Sequence, residues 1–276
     1  GITLNPHTTI ARCSRPDVVL VPSVDEDLGV SLPANRAFIP WLRQCFERGS
    51  TLASLCTGSF MLAEAGVLRG KSATTHWFFA DEFCRRYHDI HLLRDRVIVD
   101  EGRVITSGAA TSFLNLALYL VEKYCGHEVA VMSSKLMLID LGKQSQLPYT
   151  IFIGANSHND TSIHKAQSLV EREFARPLSL PQMAASAGMS ERNFLRRFKL
   201  CTGDSPTTYL QRIRIEAARR QLEKGTLSID QIRNNVGYDD SRSFRRLFKR
   251  HSGLTPKEYR AKFTPLTTIK GRSSKK

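Results

Sequence analysis

An internal repeat constrains this chain more than any other feature. Residues 178–209 read LSLPQMAASAGMSERNFLRRFKLCTGDSPTTY, and residues 227–259 read LSIDQIRNNVGYDDSRSFRRLFKRHSGLTPKEY. Leu178, Ser179, Gln182 and Gly188 match Leu227, Ser228, Gln231 and Gly237 at a shift of 49. Phe194, Arg196, Phe198, Gly203, Pro206 and Tyr209 then match Phe244, Arg246, Phe248, Gly253, Pro256 and Tyr259 at a shift of 50, with one residue inserted just after the turn glycine. Self-similarity of this length means one small structural unit used twice.

Each copy reads as helix, turn, helix. Ser179 and Ser228 cap a first helix, and Gln182 and Gln231 stand three residues on, the spacing of a capping box. Leu180, Met183, Ala184 and Ala187 fall on one helical face, as do Ile229, Ile232 and Val236. Gly188 and Gly237 stand where the chain has to turn sharply. Ser190, and Asp239 or Asp240, are candidates to cap the second helix. Phe194/Phe198 and Phe244/Phe248, four apart, give that helix its buried stripe.

The opposite face carries the chemistry. It presents Arg192, Leu195, Arg196 and Lys199 in the first copy, and Ser241, Arg242, Arg245 and Arg246 in the second. Arginine bonds bidentately to guanine, and small polar residues near a helix N-terminus let the helix approach base edges in the major groove. The stretch SPTTYLQRIRIEAARRQLEKG (205–225) predicts a connecting helix with two apolar stripes, Leu210/Ile213/Ala217 and Ile215/Ala218/Leu222. Such a helix can pack against both copies and fix two recognition helices about 34 Å apart, one turn of duplex. The charge distribution agrees. Residues 1–162 carry 15 Lys/Arg against 16 Asp/Glu, whereas residues 163–276 carry 25 against 10. The whole net charge of +14 therefore resides in the C-terminal part, as expected of a nucleic-acid partner. The closing KGRSSKK contributes four of these charges and reads as a disordered basic tail.

Residues from about 163 to 263 resemble the double helix-turn-helix domain of the AraC/XylS family of bacterial transcription regulators. The stretch IRNNVGYDDSRSFRRLFKRHSGLTPKEYR carries the likeness: the Gly-Tyr turn, the Phe-x-x-x-Phe helix and Gly-x-x-Pro-x-x-Tyr-Arg. The resemblance implies that Arg192, Leu195, Arg196 and Lys199, with Ser241, Arg242, Arg245 and Arg246, face bases. Leu195 departs from the usual polar choice, and it either touches a thymine methyl or makes the first module less discriminating.

The first half follows different rules. PDVVLVPS (16–23) is a buried-strand signal. NRAFIPWLRQCFERGS (35–50) has helical spacing at Phe38, Trp41, Leu42, Cys45 and Phe46. TLASLC predicts a second strand, GSFMLAEAGVL a second helix, RVIVDEGRVITSG (96–108) a hairpin, and ATSFLNLALYLVEKYCG (110–126) a helix ending at Gly126. Strands alternating with helices imply an α/β domain built on a parallel sheet with helices on both faces. No apolar run approaches the roughly 18–20 residues of a membrane span, and GITLNPHTTIARCSRP lacks the design of a secretory signal. The six cysteines (13, 45, 56, 84, 125 and 201) have no paired or zinc-like spacing, so reduced cytoplasmic thiols are expected, with no metal site and no cofactor.

Cys56, in LASLCTGSFMLAEAG, falls at a strand-to-helix turn. A helix N-terminus there would lower a thiol pKa and offer N–H groups to an oxyanion, and His76 could act as base. SLCTGSFMLAEAGVLRGKSATTHW and RVITSGAATSFLNLALYLVE resemble the class I glutamine amidotransferase-like superfamily with its PfpI-type members, over residues 16–147. The family's early strand and helix have no counterpart, so the chain is expected to begin inside that domain. No upstream acid is obviously placed to orient His76, although Asp25 and Glu26 exist. Such a domain ahead of an AraC-type one resembles the GlxA-like regulators, in which it is taken as a sensor and dimerisation unit.

The expected organisation is a flavodoxin-like, amidotransferase-like α/β domain over 1–153, a linker over 154–163, an all-α double helix-turn-helix domain over 164–264 and a tail over 265–276. The expected function is a cytoplasmic, nucleoid-associated transcription regulator, an activator, acting as a homodimer with promoter DNA and RNA polymerase. Cys56, Thr57, His76 and Ser107 would bind a small effector, with Cys56 and His76 as vestiges of catalysis. The rival reading is a cysteine hydrolase or amidotransferase that uses Cys56 and His76 and carries an accessory nucleic-acid-binding domain. A third is a sequence-indifferent DNA-compacting protein.

Overall fold

The computed structural model describes residues 3, 5–13, 15–109, 111–154 and 158–263. They divide into two units, at 1–146 and from 147 onward. The expected basic tail and residues 155–157 of the expected linker lie outside the described residues.

The first unit runs β1 (Val18–Val21), α1 (Leu28–Ala34), α2 (Phe38–Glu47), β2 (Thr51–Ser54), α3 (Gly58–Glu64), β3 (Ser72–Ala73), α4 (Ala80–Arg86), β4 (His91–Leu92), β5 (Ile98–Asp100), β6 (Val104–Ser107), α5 (Ser112–Cys125) and α6 (His127–Met137). The main sheet has the order β1-β2-β6-β5. Its first three strands are parallel, and β5 closes it as an antiparallel hairpin partner of β6. Strand alternation sends neighbouring residues to opposite faces. Leu52 and Val104 join the core with Leu42, Cys45 and Phe60. Ala53 and Ile105 join a second core with Leu116 of α5. Helices thus cover both faces, and the central strands β2 and β6 are buried along their whole length.

The second unit is helical: α7 (Thr161–Glu173), α8 (Leu180–Ser186), α9 (Glu191–Thr202), α10 (Pro206–Lys224), α11 (Ile229–Asn235), α12 (Ser241–Ser252) and α13 (Pro256–Phe263). The repeat is visible atom by atom. Both capping boxes form, at Ser179/Gln182 and Ser228/Gln231. Gly203 and Gly253 end the recognition-type helices in left-handed conformation. Thr202 Oγ1 donates to the Phe198 and Asp204 carbonyls, as Ser252 Oγ does to those of Phe248 and Leu254. Phe198 meets Tyr209 edge-on at 5.3 Å, and Phe248 meets Tyr259 at 5.5 Å. The tyrosine hydroxyls donate to Glu171 and Glu223 respectively. The unit of duplication is therefore larger than the repeat read in sequence. α7 serves the first module as α10 serves the second, and α10 follows the first module as α13 follows the second.

α10 packs against all six other helices of its unit. Tyr209, Leu210 and Ile213 lie in the first module's core. Ile215, Ala217, Ala218 and Leu222 lie in the second's. Ala217, expected on the first stripe, thus sides with the second module. A helix of 19 residues spans about 28 Å, so its two partners divide it by length as well as by face. Asp240 caps α12 by accepting from the Arg242 and Ser243 N–H groups. Ser190 occupies the corresponding N-cap without a side-chain capping bond.

Residues 147–153, assigned to the first domain on sequence, pack with the helical unit instead. Arg219, buried on α10, donates to the carbonyls of Leu147, Thr150 and His251. Phe152 stacks edge-on with Tyr209 and lies under the Arg212 guanidinium. A buried guanidinium costs least when its donors are engaged; the three carbonyls together with Glu216 at 3.5 Å engage the two terminal nitrogens of this one, and its Nε is buried without a hydrogen-bond partner among the described residues.

The turn glycines differ in what surrounds them. A Cβ at Gly188 (φ +67°) would meet nothing within 4 Å, whereas one at Gly237 (φ +81°) would lie 2.5 Å from the Ala175 carbonyl oxygen. Gly188→Ala should cost about 1 kcal/mol, the left-handed penalty alone. Gly237→Ala should cost roughly 2–4 kcal/mol, because backbone must also move. Urea unfolding of the two variants followed by circular dichroism would measure the difference, and equal costs would contradict this packing.

Candidate functional site

Two places carry chemistry-bearing residues, one in each unit. In the first unit, parallel strands end together at one edge of the sheet, and the chain turns from β2 into α3 there. Cys56 takes φ +50°, a left-handed conformation unusual for a residue with a side chain. Neighbours on every side hold the turn. Leu55 N–H donates to Val21 O at the end of β1, and Cys56 N–H donates to Ser107 O at the end of β6, at 3.1 Å. Ser59 Oγ and Thr75 Oγ1 both donate to Cys56 O. The expected site residues are therefore brought together: Cys56 contacts Ser107 directly and is bonded to the residue preceding His76.

The two hydroxyls among them are already engaged. Thr57 Oγ1 donates to Val24 O at 2.7 Å, and Ser107 Oγ donates to Ser54 O at 3.0 Å. Both residues are buried, as is Cys56. The N–H groups of Cys56, Gly58 and Ser59 all donate to protein carbonyls, so they are not presented to an oxyanion. His76 is half-buried at the start of a single 3-10 turn, and its Nδ1 accepts the Phe78 N–H at 3.1 Å. That bond places the neutral ring's proton on Nε2. Burial pushes the imidazole below its ordinary value, and the Glu26 carboxylate opposes the shift. Glu26 is thus near enough for its charge to act on His76, which sequence spacing left open.

Sequence reasoning missed Gln146. It is buried, and its amide nitrogen donates to Thr74 Oγ1, Thr75 O and Arg96 O. Its amide oxygen accepts the Ala109 N–H just beyond β6. It therefore clamps the loops on either side of the cysteine turn. No periodicity marks a glutamine in GKQSQLPY as buried.

In the second unit, Phe194 and Phe198 bury one face of α9, and Arg192, Leu195, Arg196 and Lys199 are exposed on the other. Phe244 and Phe248 do the same in α12, exposing Arg242, Arg245 and Arg246, with Ser241 half-buried at the start of the helix. Among the described residues no ion pair engages Arg192, Arg242, Arg245 or Arg246. Arg196 reaches only the Asn193 side chain on its own helix, at 3.2 Å. Arg197 plays a different part, pairing with Asp160 at 2.7 Å and fastening α9 to the cap of α7. Arg219 is the further residue that sequence passed over. It occupies the i+4 position of the Ile215/Ala218/Leu222 stripe, and a charged residue on an apolar stripe was the available signal.

Residues 183–262 match the helix-turn-helix domain family, and residues 1–123 match the DJ-1/PfpI family. The HTH-type transcriptional regulator CdhR of Pseudomonas aeruginosa is 26% identical over 262 residues, covering 95% of this chain and 77% of that protein. The HTH-type transcriptional regulator GlxA of Rhizobium meliloti is 27% identical over 219 residues, 78% of this chain and 66% of that one. Isonitrile hydratase of Pseudomonas putida is 30% identical over 190 residues, 64% of this chain and 78% of the enzyme.

The environment of His76 fixes a pH response. Its imidazole should titrate below 6.5, the ordinary value, and Glu26→Gln should lower the midpoint further by removing the charge that favours the imidazolium. Heteronuclear NMR of the ring nitrogens reads this directly. A midpoint above 6.5 in the wild type would contradict the buried placement.

Proposed function

This chain belongs to the DJ-1/PfpI family through its first domain and to the AraC-type helix-turn-helix regulators through its second, and on that premise we propose that its DNA-binding half works under the control of a small metabolite bound by the first domain. The chain is a DNA-binding transcription regulator. The two arginine-bearing helices α9 and α12 lie in successive major-groove segments. Arg192, Leu195, Arg196 and Lys199 read one segment, and Ser241, Arg242, Arg245 and Arg246 read the next. The observation that carries this assignment is the repetition itself: the same positions are exposed in both modules, on helices buried by the same pair of phenylalanines.

The protein acts in the cytoplasm on the nucleoid as a homodimeric activator that contacts RNA polymerase. Among the described residues, no helix is long and apolar enough to cross a membrane. The effector binds at the edge of the sheet around Cys56, Thr57, His76 and Ser107, and it regulates only by favouring one state of the protein over another. Cys56 serves there as part of the wall rather than as a nucleophile. The engaged N–H groups of Cys56, Gly58 and Ser59 and the engaged hydroxyls of Thr57 and Ser107 support that reading. Similarity to a hydratase keeps a second reading in play, in which Cys56 acts as a nucleophile with His76 as its base. Turnover of a simple aliphatic isonitrile by the purified chain, lost in Cys56→Ser, would establish that reading. Its absence supports the first.

The DNA reading is tested with an operator selected from randomised duplexes and measured by fluorescence anisotropy across a salt series. Arg246→Ala and Arg196→Ala should each cost about 1–3 kcal/mol of operator affinity and relax selectivity at one base position. Lys199→Ala should weaken all duplexes alike and lower the salt slope by about 1. Equal affinity of the wild type for operator and random duplex would instead mark a DNA-compacting protein.

A further inference from the structure

The outward face of α6 has no role in either site, and its composition is unusual for a free surface. Val129, Met132 and Leu136 are 48%, 66% and 81% exposed. They lie at i, i+3 and i+7, which puts three large apolar side chains on one stripe. The inward face is set by Ala130 and Ser134, both buried, and α6 packs on α5. Scattered exposed hydrophobics are ordinary, but a contiguous stripe marks a surface that is covered. Leu138, just past the helix, adds a second sign. It takes φ +53° at the C-cap, a position that favours glycine or asparagine, and it is 94% exposed. The chain holds an exposed leucine in a strained conformation there.

The charges on the same face identify what covers it. Glu128 and Lys135 stand seven residues apart, flanking Met132 on the side away from Val129 and Leu136. With Val131, Met132 and His127 they line a shallow groove along the helix. We infer that α6 is the surface on which two copies of this chain pair, antiparallel, about a twofold axis near Met132. A twofold interface brings residue i against j and j against i. Antiparallel pairing centred at Met132 sets Glu128 against the Lys135 of the second copy, and Val129 against its Leu136, each contact occurring twice. A parallel arrangement would lay the charged flank over the apolar one. The pattern is therefore complementary to itself, and methionine at the axis packs against its own copy without demanding one geometry.

This inference rests on the homodimer reading and names its surface. Sedimentation equilibrium of the full chain tests both. The wild type should be dimeric at micromolar concentration, and Met132→Glu monomeric with an unchanged far-UV circular dichroism spectrum. Glu128→Lys and Lys135→Glu should each raise the dimer dissociation constant by roughly tenfold or more, through like charges placed in apposition. The double variant E128K/K135E should recover wild-type dimerisation, which no loss of folding could mimic. A Met132→Glu protein that stays dimeric, or a double variant no better than the singles, would overturn the α6 pairing and leave the homodimer reading standing. A monomeric wild type would overturn both.

Discussion

The nineteen residues of α10 are asked to belong to two cores at once. Tyr209, Leu210 and Ile213 complete the first module, and Ile215, Ala218 and Leu222 complete the second. Both modules bury their aromatic pairs against this helix: Phe198 closes on Tyr209 of α10, and Phe244 and Phe248 share their core with Ile215, Ala218 and Leu222 of the same helix. Fully burying a side chain of this size contributes about 1.5–3 kcal/mol, so each end of α10 is held by several such contacts. Other ties bridge the modules. Phe174 packs against both cores, and Arg214 on α10 donates to Phe174 O and Arg176 O. The buried Arg219 adds the segment at 147–150 to the same assembly. Spacing between the two arginine-bearing faces thus follows from hydrophobic burial along one helix.

The first domain shows how a fold keeps a shape while its polar groups are assigned elsewhere. The turn at Cys56 retains the left-handed backbone and the strand-to-helix placement that suit a nucleophile. The amides of Cys56, Gly58 and Ser59 and the neighbouring hydroxyls are nevertheless bonded within the protein, and Gln146 ties the flanking loops together. A turn built in this way is held on several sides by the protein's own hydrogen bonds.

Much of this was legible before the structure, and the failures have physical causes. The duplicated segment, the hairpin at 98–107 and the helix ending at Gly126 were readable because each shows periodic apolar residues closed by a turn residue. α1 was not readable. It is short, follows a run of acidic residues and contains Pro33, yet Asp27 caps it and Leu28 and Leu32 bury it. The first turn of α7 falls within the expected linker because its polar opening, HNDTS, conceals the Asp160 cap. Ser107 was legible as a neighbour of Cys56, but not that its hydroxyl would turn inward to Ser54. Roles such as those of Gln146 and Arg219 arise only when distant segments converge, and no local pattern encodes them. The exposed faces of α9 and α12 were legible because exposure on a helix with a buried Phe pair follows from a period of 3.6 alone.

The central claim is that α10 holds the two modules at one fixed separation before any duplex is present. Spin labels at the exposed positions Leu200 and Arg250, introduced as cysteines in a chain whose other reactive thiols are replaced, report the distance between α9 and α12 by pulsed dipolar spectroscopy. A single narrow distance distribution, unchanged when a duplex is added, is the predicted result. A broad distribution in the free protein that narrows only on DNA would show that the duplex, and not the shared helix, sets the spacing.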